Sequence, residues 1–154
     1  MEDYQEKLKN RREVKSDRIK WWELQWGRDR EIFSGEKIVV RQRCKTNIFA
    51  YSDGDFFGSA DIYYLSPKNR EIDIFYLLGY LNSEIFYKWY RINGKSKGYN
   101  LEFYSTPLKE TPIFYPHNIE EIKYISNLVK KQVKNYSEEI QREIEEYFSY
   151  TYSI

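Results

Sequence analysis

Few side chains in this sequence could do covalent or metal chemistry, and their spacing narrows the choice further. Cys44 is the one cysteine and His117 the one histidine. Disulfides within the chain and Cys-rich zinc sites are therefore excluded, and one imidazole completes neither a His-based metal site nor a His pair. His117 stands between Pro116 and the helix-cap residue Asn118 with no evident orienting partner for a general base, so it is expected on the surface. The seven glycines form no Gly-x-Gly and no Gly-Lys-Ser/Thr, which removes the Rossmann and P-loop signatures. Asp53-Gly54-Asp55-Phe56-Phe57-Gly58 imitates the opening of a calcium loop, yet its twelfth position is Tyr64 where a bidentate Glu is needed; it reads as a turn. Glu121-Ile122-Lys123 matches half of a nuclease motif, but in a helix residues i and i+2 diverge. No catalytic constellation is expected, so the chain reads as a binding protein rather than an enzyme.

A length of 154 residues makes one compact domain the default. The longest apolar run, Ile74 to Leu81, spans eight residues, far short of the roughly 20 of a membrane-spanning helix. The first ten residues alternate acids and Lys with no apolar stretch, so no secretory signal and a cytoplasmic location are expected. Charged residues make up 32% and aromatics 19%, and so rich an aromatic content predicts a folded chain. The 16 tyrosines fit base stacking or simply an AT-rich coding sequence, and the second reading is favoured. Net charge is only +1, but the first 50 residues hold 13 Lys or Arg against 9 Asp or Glu. A basic segment on a near-neutral domain suits contact with phosphates along one side, and equally an ordinary solvated surface.

The elements that would position these charges follow from hydrophobic spacing. Sparse apolar residues from Tyr4 to Ile19 predict a solvent-facing helix ending near Lys15-Ser16-Asp17, a connector over residues 1–20. Trp21, Trp22 and Trp26 crowd the next segment and are expected to be packed as an anchor. From Lys37 the period becomes two, with Ile38, Val40 and Gln42 on one strand face and Val39, Arg41 and Arg43 on the other, basic face. Ile48 to Tyr51 reads as a strand, Ser52 to Asp55 as a turn with a positive-φ glycine, and Phe56 to Leu65 as further strand with a break at Gly58. Residues 72–92 read as one buried helix in which Gly79 marks close packing, stopped by Asn93-Gly94. Gly94 to Gly98 reads as a flexible loop, Tyr99 to Tyr104 as a strand, and Pro107, Pro112 and Pro116 as punctuation of an extended stretch. Asn118 with Glu121 predicts a capping box, and Ser137-Glu138-Glu139 opens a last helix striped by Ile140, Ile144, Tyr147 and Phe148. The fold class is thus α+β: a small antiparallel sheet packed with a buried central helix and two C-terminal helices, behind an N-terminal helical connector.

Several motifs in order along the chain resemble the TaqI-like C-terminal specificity domain. They are Tyr4, Leu8 and Arg11-Arg12; Trp22-Glu23-Leu24-Gln25 and Arg28; Glu36-Lys37-Ile38-Val39-Val40-Arg41; Leu77-Leu78, Leu81-Asn82-Ser83; Leu108, Thr111-Pro112-Ile113; and the closing Ile140, Ile144, Tyr147-Phe148, Tyr152. The resemblance implies a target-recognition domain, residues 21–154, of an adenine-N6 DNA methyltransferase or a fused restriction-modification enzyme of the Eco57I kind, related in architecture to type I specificity subunits. In such enzymes an N-terminal methyltransferase domain of the same parent chain binds S-adenosylmethionine and carries an Asn/Asp-Pro-Pro-Tyr/Phe motif for the flipped adenine. The four prolines here are never adjacent, so that motif is absent from this sequence. S-adenosylmethionine, with magnesium as a second candidate, would belong to catalytic domains outside this chain.

For a reader of double-stranded DNA, contacts divide into phosphate clamps and a few base-edge readers. Arg28 and Arg30 are expected phosphate contacts; Arg41, Arg43 and Lys45 groove or phosphate contacts, with Lys37 on the same strand; Lys95 and Lys97, between two glycines, would close over the backbone. The competing readings are a protein-interaction module that buries the Trp segment against a partner and touches no nucleic acid, and, ranked last, a small metal-dependent nuclease.

Overall fold

A computed structural model describes residues 2–25, 27–67 and 71–152, and the chain forms two compact units, Met1–Ile32 and Phe33–Ile154. The first unit opens with a 3-10 turn, Glu2–Tyr4, followed by helices α1 (Gln5–Lys9) and α2 (Arg12–Lys15). The single helix expected over Tyr4 to Ile19 is therefore broken, at Arg11, whose backbone is extended. The reason lies in its side chain. The Arg11 guanidinium donates to the carbonyls of Leu8, Trp21 and Glu23 at 3.2, 2.9 and 2.8 Å, tying the helical segment to the Trp-rich one. Asp17, at φ 54°, then turns the chain in a conformation that Asp tolerates better than most residues. Packing of the Trp segment is only partial: Trp21 is half-buried, but Trp22 is 53% and Leu24 75% exposed, while Trp26 lies outside the described residues. Hydrogen bonds to its backbone, rather than burial of its rings, hold this segment.

In the second unit, strands β1 (Lys37–Arg41), β3 (Phe49–Ser52) and β4 (Ile62–Leu65) form an antiparallel sheet in the order β3-β1-β4, with Val40 opposite Phe49 on one side and Tyr63 on the other. The alternation predicted for β1 holds, since Ile38 and Val40 are buried and Arg41 is exposed. One small sheet was the expectation, and two are present. Strands β2 (Arg43–Cys44), β5 (Lys95–Lys97) and β6 (Asn100–Glu102) form a second sheet in the order β2-β6-β5. Gln42 joins the sheets: its N–H donates to the Asp61 carbonyl at 2.7 Å, and its own carbonyl accepts from the Phe103 N–H at 2.7 Å. The segment expected to be a flexible loop is thus strand β5 and the start of a tight turn at Gly98, φ 60°. Strand structure is confined to the end of the Phe56–Leu65 run, because the Gly58 N–H is taken by the Tyr64 hydroxyl at 2.6 Å instead of by a neighbouring strand. Gly54 does not have positive φ; its carbonyl instead accepts the Lys37 ammonium.

The buried helix predicted over 72–92 is two helices, α3 (Ile74–Asn82) and α4 (Glu84–Asn93), parted at Ser83. Ser83 is extended and fully buried; its hydroxyl donates to the Tyr80 carbonyl and accepts from the Phe86 N–H, ending one helix and capping the next. Asp73 caps α3 by accepting from Phe75 and Tyr76 N–H groups, and the Ser126 hydroxyl donates to the same oxygen at 2.7 Å. Ser126 belongs to α6 (Ile119–Lys134), which with α7 (Glu138–Thr151) covers α3. The capping box is incomplete: Asn118 caps α6, but Glu121 accepts the Tyr147 hydroxyl at 2.6 Å rather than turning back on the cap. Between the helices, Ser105–Lys109 forms a short helix α5, where an extended chain was expected; Pro107 falls in its first turn, where no N–H is needed.

The rest of that proline-rich segment is held by phenols. Tyr76 donates to the Phe114 carbonyl, Tyr80 to the Pro112 carbonyl and Tyr115 to the Glu71 carbonyl, while the Tyr152 hydroxyl accepts from the Phe114 N–H. Backbone with no strand partner is thereby satisfied inside the fold.

Two predictions follow from this packing. A Cβ on Gly79 would stand 2.8 Å from Val129 Cγ2 and 3.1 Å from Phe148 Cε2. Gly79→Ala should therefore lower stability, overpacking of about 1 to 3 kcal/mol outweighing a helix-propensity gain of about 1 kcal/mol, and in a Val129→Ala background the same change should become neutral or stabilising in urea unfolding. Burial raises the Tyr76, Tyr80, Tyr90 and Tyr147 hydroxyls above the ordinary value of 10.0, Tyr147 to about 12. Their neutral forms favour folding, so this stabilisation is intact below pH 10 and is lost as pH rises toward 12. Tyrosinate absorbance and near-UV circular dichroism should change together in that window.

Candidate nucleic-acid interface

Period-two geometry sorts the second sheet into a dry face and a charged one. Leu101 and Phe103 are fully buried, so Glu102 between them must point to the other side. The register puts Arg43 on β2 and Lys95 on β5 directly opposite Glu102 on the central strand, a row of cation, carboxylate and cation across the sheet. Arg43 Nε donates to Glu102 Oε1 at 2.8 Å, and Lys95 Nζ lies 3.7 Å from Oε2. Glu102 is 3% exposed, whereas Arg43 is 58% exposed, so the carboxylate is covered by cations that themselves reach solvent. Lys95 Nζ also sits 4.4 Å from the centre of the Tyr104 ring. The hydrogen bonds that Arg43 donates to Glu102 and, after it, to Tyr104 raise the guanidinium above its ordinary value. The strand is fixed from beneath by the Tyr90 hydroxyl on α4, which donates to the Glu102 carbonyl at 2.9 Å.

Lys97, two residues from Lys95, shares its face and is opposite Asn100. Arg41 and Arg43 flank Gln42 and line one cleft of about 530 Å3 together with Gln42, Ser59, Asp61 and Ile62. Lys45 is exposed just past β2. The side chains of Arg41, Lys45 and Lys97 have no ion-pair partner among the described residues, so their charge is available to a ligand.

The remaining candidates are not on the strands of this sheet. Lys37 is fully buried, and its ammonium donates to the carbonyls of Gly35 and Gly54 at 2.5 and 2.6 Å. It closes the loop ends at the start of β1 and is not presented to solvent. Arg28 and Arg30 are exposed on the first unit, where Arg30 opens a 3-10 turn, Arg30–Phe33, and Arg28 is already engaged in an interaction. Glu102 and Tyr104, which organise the basic face, were absent from the sequence-based candidates. The signal for Glu102 was there: a carboxylate between two large apolar residues in a strand must sit on the opposite face from both. No group of three or more His, Cys, Asp or Glu side chains suited to a metal ion occurs among the described residues, and no helix among them is long and apolar enough to cross a membrane.

Because either cation can neutralise Glu102, Arg43→Ala and Lys95→Ala should each have a small effect on unfolding by urea. The double substitution, which leaves a buried carboxylate unpaired, should cost clearly more than their sum, and additivity would show that the two cations act independently.

Comparison with known proteins gives two findings. The family described as the TaqI-like C-terminal specificity domain matches residues 4–113. The protein described as "Type II methyltransferase M.MjaIV" from Methanocaldococcus jannaschii is 33% identical over 99 residues, covering 64% of this chain and 32% of that protein. The chain thus matches about a third of that relative's length.

Proposed function

Because the chain belongs to the family of TaqI-like C-terminal specificity domains, we propose that it recognises a specific sequence in double-stranded DNA as the target-reading part of an adenine-N6 methyltransferase of a restriction-modification system. The family is a specificity domain and not a catalytic one. Methyl transfer from S-adenosylmethionine, and any magnesium-dependent cleavage, would be the work of other domains, the N-terminal methyltransferase domain of the parent chain being the expected partner.

The observation that carries this reading is the charged face of the β2-β6-β5 sheet, where Arg43 and Lys95 flank one buried carboxylate, Glu102, and Lys97 shares the face of Lys95. Glu102 engages Arg43 through Nε and Tyr104 takes a second hydrogen bond, which leaves three of the five guanidinium N–H donors, enough for the paired bonds to guanine O6 and N7. A side chain held at one edge loses less freedom on binding than a free one. Arg41, Lys45 and Lys97, without an ion-pair partner among the described residues, suit phosphate contacts. Lys37 has no part in this surface. A second reading, contact with a protein partner, draws on the exposed Trp22 and Leu24 of the first unit.

Selection from a random duplex pool tests the proposal. An enriched motif is expected, bound more weakly as salt rises with a logarithmic slope of about −0.9 per phosphate neutralised. Lys97→Ala should reduce that slope by about one contact at every sequence, whereas Arg43→Ala should lose about tenfold in affinity and relax one position of the motif. Absence of any enriched motif together with salt-insensitive binding would overturn the proposal.

A further inference from the structure

Strands β5 and β6 form a hairpin closed by the two-residue turn Gly98-Tyr99, with Lys97 opposite Asn100. Gly98 has φ 60° and Tyr99 does not have positive φ, the pattern of a II′ turn, which demands glycine at its first central position and little of the second. The turn therefore does not explain a tyrosine. All of residues 95–100 are exposed, including Ser96 on the face opposite the lysines, so the end of the hairpin stands clear of the fold on both sides. Tyr99, at its tip, is 90% exposed and its ring contacts no other ring among the described residues. Other tyrosines are also exposed, Tyr136 and Tyr150 among them, but those lie near or on the last helices and not on the sheet that carries the cations. Beyond β2, which pairs only with Leu101 and Glu102, β5 and β6 continue as a two-stranded ribbon, one of the shapes that enters a DNA groove; Lys97 lies on it, and Lys95 and Arg43 stand at its base.

Resting on the DNA-binding reading above, we propose that this hairpin enters a groove and that the Tyr99 ring stacks against a base at its floor, partly unstacking one base step. The two lysines lie where phosphates line the groove walls, and the ring, uncharged and planar, has no phosphate to neutralise. Aromatic wedges act in this way at flexible pyrimidine–purine steps, where unstacking costs least. Tyr99 is then a contact that senses deformability, complementary to the hydrogen bonding of Arg43.

The experiment uses the full chain and a 30-base-pair mixed-sequence duplex carrying 2-aminopurine beside a central TA step, with anisotropy and 2-aminopurine fluorescence followed from about 50 to 200 mM salt. Tyr99→Ala should weaken binding about five- to a hundredfold without changing the salt slope, because base stacking releases no counterions. Tyr99→Phe should bind like wild type, and Lys97→Ala should lower the slope while leaving the fluorescence response intact. The fluorophore should brighten with the wild-type protein and stay quenched with Tyr99→Ala. Since Tyr99 packs against no other ring, near-UV circular dichroism should show an unchanged fold in both variants. If wild-type protein binds the duplex but Tyr99→Ala binds as well, or if the fluorophore never brightens, the stacking role is overturned and the DNA-binding reading survives. If wild-type protein does not bind the duplex at any salt concentration, both fall together.

Discussion

A carboxylate placed among fully buried aromatic and aliphatic neighbours cannot stand alone, and Glu102 shapes the second sheet for that reason. Leu101 and Phe103 fix β6 against the core, and the pleat then forces the intervening acid to the opposite face. An unpaired carboxylate there would cost several kcal/mol. Two cations from the flanking strands meet that demand, each remaining more than half exposed. The surface that results is basic because an acid lies under it, and the positions of its cations are set by strand register rather than by the wandering of long side chains.

The helical half obeys a related rule with neutral groups. A segment interrupted by Pro107, Pro112 and Pro116 leaves backbone groups without a strand or helix partner; Tyr76 and Tyr80 of α3 donate to the Phe114 and Pro112 carbonyls, and the Tyr152 hydroxyl, just past α7, accepts from the Phe114 N–H. Their rings meanwhile fill the core: Tyr76, Tyr80 and Phe148 pack edge to face around the site where Gly79 lets α3 approach its neighbours. The high tyrosine content is thus largely structural, with hydroxyl and ring each used.

How much of this could be read from the sequence depends on whether a residue acts locally or at a distance. The starts of α6 at Asn118 and of α7 at Ser137, and the alternation in β1, were legible because each is decided within a few residues. The breaks were not: Ser83 divides a continuous apolar stripe through its buried hydroxyl, and Arg11 breaks a helix for carbonyls up to 12 residues away. A two-residue β2 and three-residue β5 are too short to show periodicity, so of the second sheet only its central strand β6, inside the strand expected over Tyr99 to Tyr104, was legible. The same limit governed the interface. Basic residues were easy to gather by type, but which were buried or already partnered depended on strand register, and Lys37, on the same strand as Arg41, proved to be a loop clasp.

Gln42 joins the two sheets with main-chain atoms alone, one bond given and one received. Its side chain is therefore not required for these two bonds, which any residue with a backbone N–H could make. Arg41 and Arg43 leave the backbone at most about 7 Å apart, the reach of two extended residues. A duplex rises about 3.4 Å per nucleotide along each strand. In the proposed reading of DNA, this junction would hold the two arginines at a spacing set by main-chain geometry rather than by the side chain between them.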